Sequence, residues 1–284
     1  MTRRLLAGAA LAGILVATPA AAQQRPLVTE DPEVVGAGLI LLEGGVDYAR
    51  DVFYPASGLR GNLTRLPMLG LSFGISSIAE LQIDGGIYDH LAITHTGVGP
   101  APLAGQLDIT GDSTSDVDDI VIATKIRLVS ETPSRPAFGL RFATKLPNAS
   151  NESGLGLDTT DFHVQGLVGK TVRSIRFVGN FGLGILGDPT EGANQNDVLD
   201  YGFSLARAIR EGIEVVGDVN GRVSTRSGTA PPGTESRSIV RFGGRITRGT
   251  VRIDAGLLFG ITSRDPSIGF TAGATWVFKG FTVP

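Results

Sequence analysis

The stretch Phe138–Lys170 constrains this chain more than any other. Phe138, Leu140, Phe142, Thr144 and Leu146 alternate with Gly139, Arg141, Ala143 and Lys145. Successive side chains of a strand point to opposite sides, so this is a strand with one apolar face and one charged face. After a polar, glycine-containing loop at 147–158, the alternation resumes with Phe162, Val164, Gly166 and Val168 against His163, Gln165 and Gly169. The loop is too long for a tight turn. In a soluble sandwich the apolar face would look inward. In a membrane barrel it would meet lipid, and the charged face would line a lumen.

The N-terminus favours the second arrangement. Residues 1–22 carry Arg3 and Arg4, an apolar run and a small-residue end at Ala20, Ala21 and Ala22, the layout of a cleaved secretory signal peptide. That apolar run is too short to span a bilayer as a helix, and no later one approaches the required length. Taking Arg3 and Arg4 from the 25 basic residues moves the net charge from -3 to -5, which excludes the basic footprint of a nucleic-acid binder. With no cysteine, a disulfide scaffold, a thiolate metal site and a cysteine nucleophile are excluded as well.

Alternating segments recur at 36–49, 62–75, 79–93, 118–130, 136–147, 160–170, 173–186, 197–209, 212–225, 236–247, 250–261 and 267–279. The count is about twelve, even as in single-chain bacterial barrels. The connections alternate long and short, beginning with a long loop at 50–60, a tight turn at 76–78 and the longest loop at 94–117. Every second connection then lies at one end, as in barrels with short periplasmic turns and longer external loops. The 40 glycines, about twice ordinary usage, sit inside the strands, where barrel walls use them at bends and crowded interior positions.

The predicted fold is therefore an all-β, antiparallel transmembrane up-and-down barrel. Its divisions are a signal peptide at 1–22, a lead-in or plug at 23–35, the barrel at 36–279 and a short extension at 280–284. Both termini would be periplasmic and the barrel would sit in the bacterial outer membrane. The final strand alternates Phe270, Ala272, Ala274, Trp276 and Phe278, resembling the terminal signal read by the barrel-assembly machinery. Lipid and lipopolysaccharide would surround the wall.

The polar face supplies the candidate lumen residues: Glu80, Asp84, Lys125, Arg127, Arg141, Lys145, His163, Glu214, Asp218, Arg241, Arg245 and Arg252. Antiparallel order sets Glu80 near Arg127, Gln82 near Lys125, Glu214 near Arg245 and Asp218 near Arg241. Such pairs would either form a charged constriction or fill and stiffen the interior. Arg141 and Lys145 are the basic excess expected to meet an anionic or polar solute.

Three stretches resemble the meta-pathway of phenol degradation family of outer-membrane transporters. These are RPLVTEDPEVVGAG, FGISSIAELQI and TKLPNASNESGLGLDTTDFHVQGLVGK, with DVDDIVIATKIRL a weaker match. The resemblance implies a barrel that passes hydrophobic or aromatic compounds.

An enzyme would need convergent groups. His163 has no serine two residues away, and His90 and His95 fall at a strand end and in a loop, so no catalytic role is assigned. The acidic loop at 108–119 lacks the glycine and the terminal glutamate of a regular calcium loop, and no cofactor is implied. The expected function is passive passage of small solutes through a wet lumen. The alternatives are a closed structural or adhesion barrel, and a barrel hydrolase with a nucleophile in reach of a histidine.

Overall fold

A computed structural model describes residues 25–283. The signal peptide expected at 1–22 lies outside the described residues. Fourteen strands form one sheet, and alternation of apolar and polar side chains decides where each begins. They are β1 (Leu39–Tyr54), β2 (Leu59–Gly74), β3 (Ala79–Gly86), β4 (Asp89–His95), β5 (Ser113–Asp116), β6 (Val121–Val129) and β7 (Ala137–Lys145). The second half comprises β8 (Asp161–Val172), β9 (Ile175–Gly187), β10 (Gln195–Arg210), β11 (Ile213–Ser224), β12 (Arg237–Arg248), β13 (Val251–Gly260) and β14 (Ile268–Lys279).

The sheet closes on itself. β1 pairs with β14 from Leu39↔Lys279 to Arg50↔Ile268 and with β2 on its other side. β2 bonds β3 through Met68–Gly74 and β4 through Arg60–Arg65, so β3 and β4 share one place in the wall. β5 pairs β4 and β6 pairs β3, so those two also share one place. The result is a closed antiparallel barrel of twelve strands. Closure leaves no open edge, the condition under which a sheet can sit in hydrocarbon with its backbone groups satisfied.

Side-chain alternation decides what faces outward. Phe142, Phe162, Phe181 (65% exposed), Phe203, Phe242, Ile253 (62% exposed) and Trp276 are all on the outer surface, while their neighbours Lys125, Asp200, Asp218, Arg252 and Asp254 are enclosed. An apolar outside around a charged inside is the inverse of a soluble core and fits a lipid solvent.

Two expectations about the connections need correcting. The first hairpin is not joined by a long loop at 50–60: β1 and β2 run on to Tyr54 and Leu59. Their ends bury Val52, Leu59 and Leu63 with Leu91 of β4, against Leu107, Ile109 and Leu155 of the neighbouring loops. This apolar cluster lies at the long-loop end of the barrel. Nor is the third strand continuous, since it breaks between Gly86 and Asp89. Both ends of the barrel, Leu39 and Lys279, lie together at the end with the short turns.

Candidate functional site

Residues Arg25 to Gly36 run along the inside of the barrel as a belt. Arg25 lies on the β1–β14 wall, bonding Thr271 Oγ1 at 2.7 Å, with Asp47 and Asp254 each at 3.6 Å. Pro26 packs on Gly243 and Gly256 of β12 and β13. Leu27 is buried with Ala206 and Val216 of β10 and β11. Asp218 accepts from Val28 N at 2.9 Å and from the Thr29 hydroxyl. The Asn180 side chain of β9 both accepts from Glu30 N, at 2.6 Å, and donates to Glu30 O, at 2.7 Å. Arg176 forks onto Asp31 at 2.7 and 2.9 Å. Pro32 sits over Gly139 and Gly169 of β7 and β8. Glu33 pairs with Arg127 of β6, Val35 N donates to Glu80 of β3 at 2.6 Å, and Gly36 lies against Gly74 of β2. In chain order the belt meets the strands in their order around the ring, making one lap.

Glycine makes room for this lap. A Cβ on Gly45 or Gly273 would lie 2.3 or 2.5 Å from the Arg25 guanidinium, and one on Gly202 would lie 2.7 Å from Thr29 Oγ1. Real Cβ contacts are not that close, so a side chain at Gly45 or Gly273 would displace the Arg25 guanidinium, and one at Gly202 would displace Thr29.

Ion pairs fix the belt. Lys125 is fully enclosed, with Glu80 at 3.0 Å and Glu30 at 3.3 Å. Glu30 also forms an ion pair with Arg141 at 3.1 Å. Burying charges is tolerable when each is paired and hydrogen-bonded. Beyond the belt, toward the long-loop end, a cavity of about 540 Å³ remains, lined in part by Arg141, Lys145, His163, Asp200, Arg222 and Arg237. That volume is within the range that holds a small molecule.

No family model matches the chain, and no curated protein matches it. Among solved structures, an outer membrane channel from Pseudomonas putida F1 aligns with a TM-score of 0.61 at 13% identity, covering 87% of this chain and 98% of that one. The NanC porin aligns with a TM-score of 0.52 at 9% identity, covering 84% and 98%. The chain has the twelve-stranded fold of a membrane-spanning barrel. Identities this low carry architecture and nothing more.

Of the residues singled out from the sequence, Asp84, Arg141, Lys145 and His163 line the cavity, and several of the twelve have other partners than expected. Glu80 faces Lys125, and Gln82 faces Ala123, so the expected Glu80–Arg127 and Gln82–Lys125 pairs are each displaced by two residues. Arg127 goes to Glu33 instead. Glu214 stands opposite Arg245 at 2.7 Å and also reaches Arg252 at 3.8 Å. Asp218 stands opposite Arg241 at 3.9 Å. Arg141 and Lys145 are not the unpaired excess expected. Arg141 meets Glu30, and Asp84 at 3.9 Å, while Lys145 meets Asp119 at 2.7 Å and Asp161 at 3.3 Å. The carboxylates responsible lie in the belt, in the approach to β6 and at the head of β8, so strand-by-strand counting did not include them all. His163 Nδ1 lies 2.6 Å from Asp200.

A hydroxyl in reach of a histidine exists elsewhere: Ser115 Oγ is 2.9 Å from His90 Nδ1. Among the described residues no carboxylate engages the other nitrogen of that ring, so the third member of a triad is missing. No group of His, Asp and Glu side chains suited to a metal ion occurs among the described residues.

Sequence reasoning missed the ion pairs of the belt's four charged residues, Arg25, Glu30, Asp31 and Glu33, which come from a segment with no period, and the juxtaposition of Arg222 with Arg237. The second was within reach. Continuing the Glu214–Arg245 and Asp218–Arg241 ladder by one step places those two arginines opposite each other.

Proposed function

We propose that this protein is an outer-membrane channel that passes small solutes without energy coupling or catalysis. The observation that carries the reading is the charged cavity of about 540 Å³ inside a closed wall whose outer surface is apolar. The likeness to an outer membrane channel and a porin supports it. In this reading the barrel sits in the bacterial outer membrane among lipid and lipopolysaccharide. Its short turns and both ends are periplasmic, and the barrel-assembly machinery recognises the Phe270-to-Phe278 strand. Resemblance to the phenol-pathway transporters implies aromatic or hydrophobic cargo. The lining of the cavity instead favours polar or charged solutes, because four cations, four carboxylates and a histidine face it.

The belt favours a second reading, a closed structural barrel, because it occupies one lap of the lumen. Single-channel recording in planar bilayers separates the two. For a channel, the mature protein gives steady unitary steps, and removing residues 25–33 enlarges them. A folded, heat-modifiable barrel that is silent both with and without the belt would establish the closed reading.

A further inference from the structure

Cations facing the lumen are paired with carboxylates almost everywhere. Arg25, Arg65, Lys125, Arg127, Arg141, Lys145, Arg176, Arg241, Arg245 and Arg252 each have one. Arg222 and Arg237 have none among the described residues. They are register partners on β11 and β12 and both line the cavity. Like charges directly opposite on adjacent strands repel, so the arrangement is unfavourable for the empty wall.

No carboxylate pairs with either guanidinium to offset it among the described residues. The Arg222 Nε and Nη2 groups donate to the Glu235 and Gly233 carbonyls at 3.0 and 2.6 Å. Arg237 Nη2 donates to Phe53 O at 3.1 Å, and its Nε is buried without a partner. Carboxylates in this part of the lumen are engaged elsewhere. Asp200 is on His163, Asp161 on Lys145, and Glu235 accepts from Gly233 N at 2.8 Å and faces Arg264 at 3.7 Å. Two planar forks with spare donors on one side of the cavity match the two oxygens of a carboxylate. Val121, Ala143 and Ile239 line the same cavity and can take a short apolar body.

We propose that Arg222 and Arg237 form a binding site for a small organic carboxylate inside the lumen. The site deepens the channel reading above and rests on it, since it names the class of solute. One negative charge, rather than two, fits a cavity whose remaining cations are already neutralised.

The test is a saturation-transfer NMR titration of the folded mature protein with butyrate, with 1-butanol as the uncharged counterpart. Wild type binds butyrate. Arg222→Gln and Arg237→Gln each weaken it at least about tenfold, a loss of ~1.4 kcal/mol, and leave the butanol signal unchanged. Arg60→Gln, at a guanidinium stacked 5.1 Å from the Phe53 ring, changes neither. Equal butyrate affinity in wild type and the glutamine variants would overturn the site, as would tighter binding of inorganic phosphate than of butyrate. Should a glutamine variant fail to give a heat-modifiable barrel, Arg237→Lys serves instead. It keeps the charge without the fork and is expected to weaken butyrate, and unchanged affinity there also overturns the assignment. Butyrate binding in a barrel that never conducts leaves this site standing and fells the channel reading. Conductance without butyrate binding does the reverse.

Discussion

Lys125 shows what a single residue contributes to this lumen. Its ammonium is enclosed between Glu80 and Glu30, and Gln82 Nε2 donates to Glu80 at 2.8 Å. Replacing Lys125 with Met leaves the buried Glu80 without a cationic partner, while Glu30 keeps Arg141. Breaking a buried pair in this way costs about 3–5 kcal/mol, so Lys125→Met is expected to lower the unfolding free energy read from urea titration of the folded barrel by that amount. Adding Glu80→Leu is expected to recover part of the loss, and a single variant as stable as wild type would show the pair to be dispensable. The charged face itself was legible in the sequence, because a period of two puts Glu80, Lys125 and Arg127 on one side whatever the pairing. The partner was not. Sliding β3 against β6 by two residues preserves every face and changes every contact, and the connection between them passes through β4, β5 and the 96–112 loop, so no tight turn fixes the register.

Among the elements, the strands declared themselves and the belt did not. Strands such as β7 and β12 set outward Phe142 and Phe242 against inward Arg141 and Arg241, and that contrast is local. At the far ends of β1 and β2 it vanishes, because Val52, Leu59 and Leu63 turn inward beneath apolar loops, and the hairpin looked like a long loop for that reason. The belt has no period at all, and its partners are spread over the whole ring. Its dependence on the inner glycines can be measured. At Gly202 the three nearest atoms all belong to Thr29, so Gly202→Val presses first on the belt. Overpacking of this kind costs typically ~1–3 kcal/mol. The protein has no cysteine, so a Leu27→Cys reporter, buried in the parent against Ala206 and Val216, is expected to react about tenfold faster with a thiol reagent when ~1.4 kcal/mol of seating energy is lost. Gly217→Val, where the nearest atoms are at 3.6 Å or beyond, should leave the reporter protected. Equal labelling in both would mean that the belt does not depend on the space at Gly202.

At the scale of the whole molecule, wall and belt are held by different forces, and pH can separate them. The wall is closed by backbone hydrogen bonds from β1 to β14, which do not titrate. The belt is held largely by charge, most plainly where Arg176 joins Asp31 to Glu131 at the turn before β7. At Asp31 burial raises the carboxyl pKa, but the Arg176 hydrogen bonds and charge, the Glu33 amide and Lys125 outweigh it, leaving the group below its ordinary value. At Glu131 burial again raises the pKa, and the Thr171 amide, Arg176 and Lys170 outweigh it. A carboxylate whose folded pKa is depressed contributes its stabilisation fully above the unfolded value, and loses it as the pH falls through the folded one. Unfolded values near about 4 therefore leave the clamp at full strength from neutrality down to mildly acidic solution, and weaken it only in stronger acid. In the channel reading, conductance is expected to be flat between about pH 8 and pH 5 and to rise below about pH 4, as the belt leaves an intact, still heat-modifiable barrel. Asp31→Asn is expected to shift the conductance at neutral pH toward the acid value, because it removes one arm of the clamp without touching the wall. Recordings across the pH range on wild type and Asp31→Asn decide the matter. A transition near neutrality, or unfolding of the barrel before conductance changes, would mean that wall and belt are not separately held.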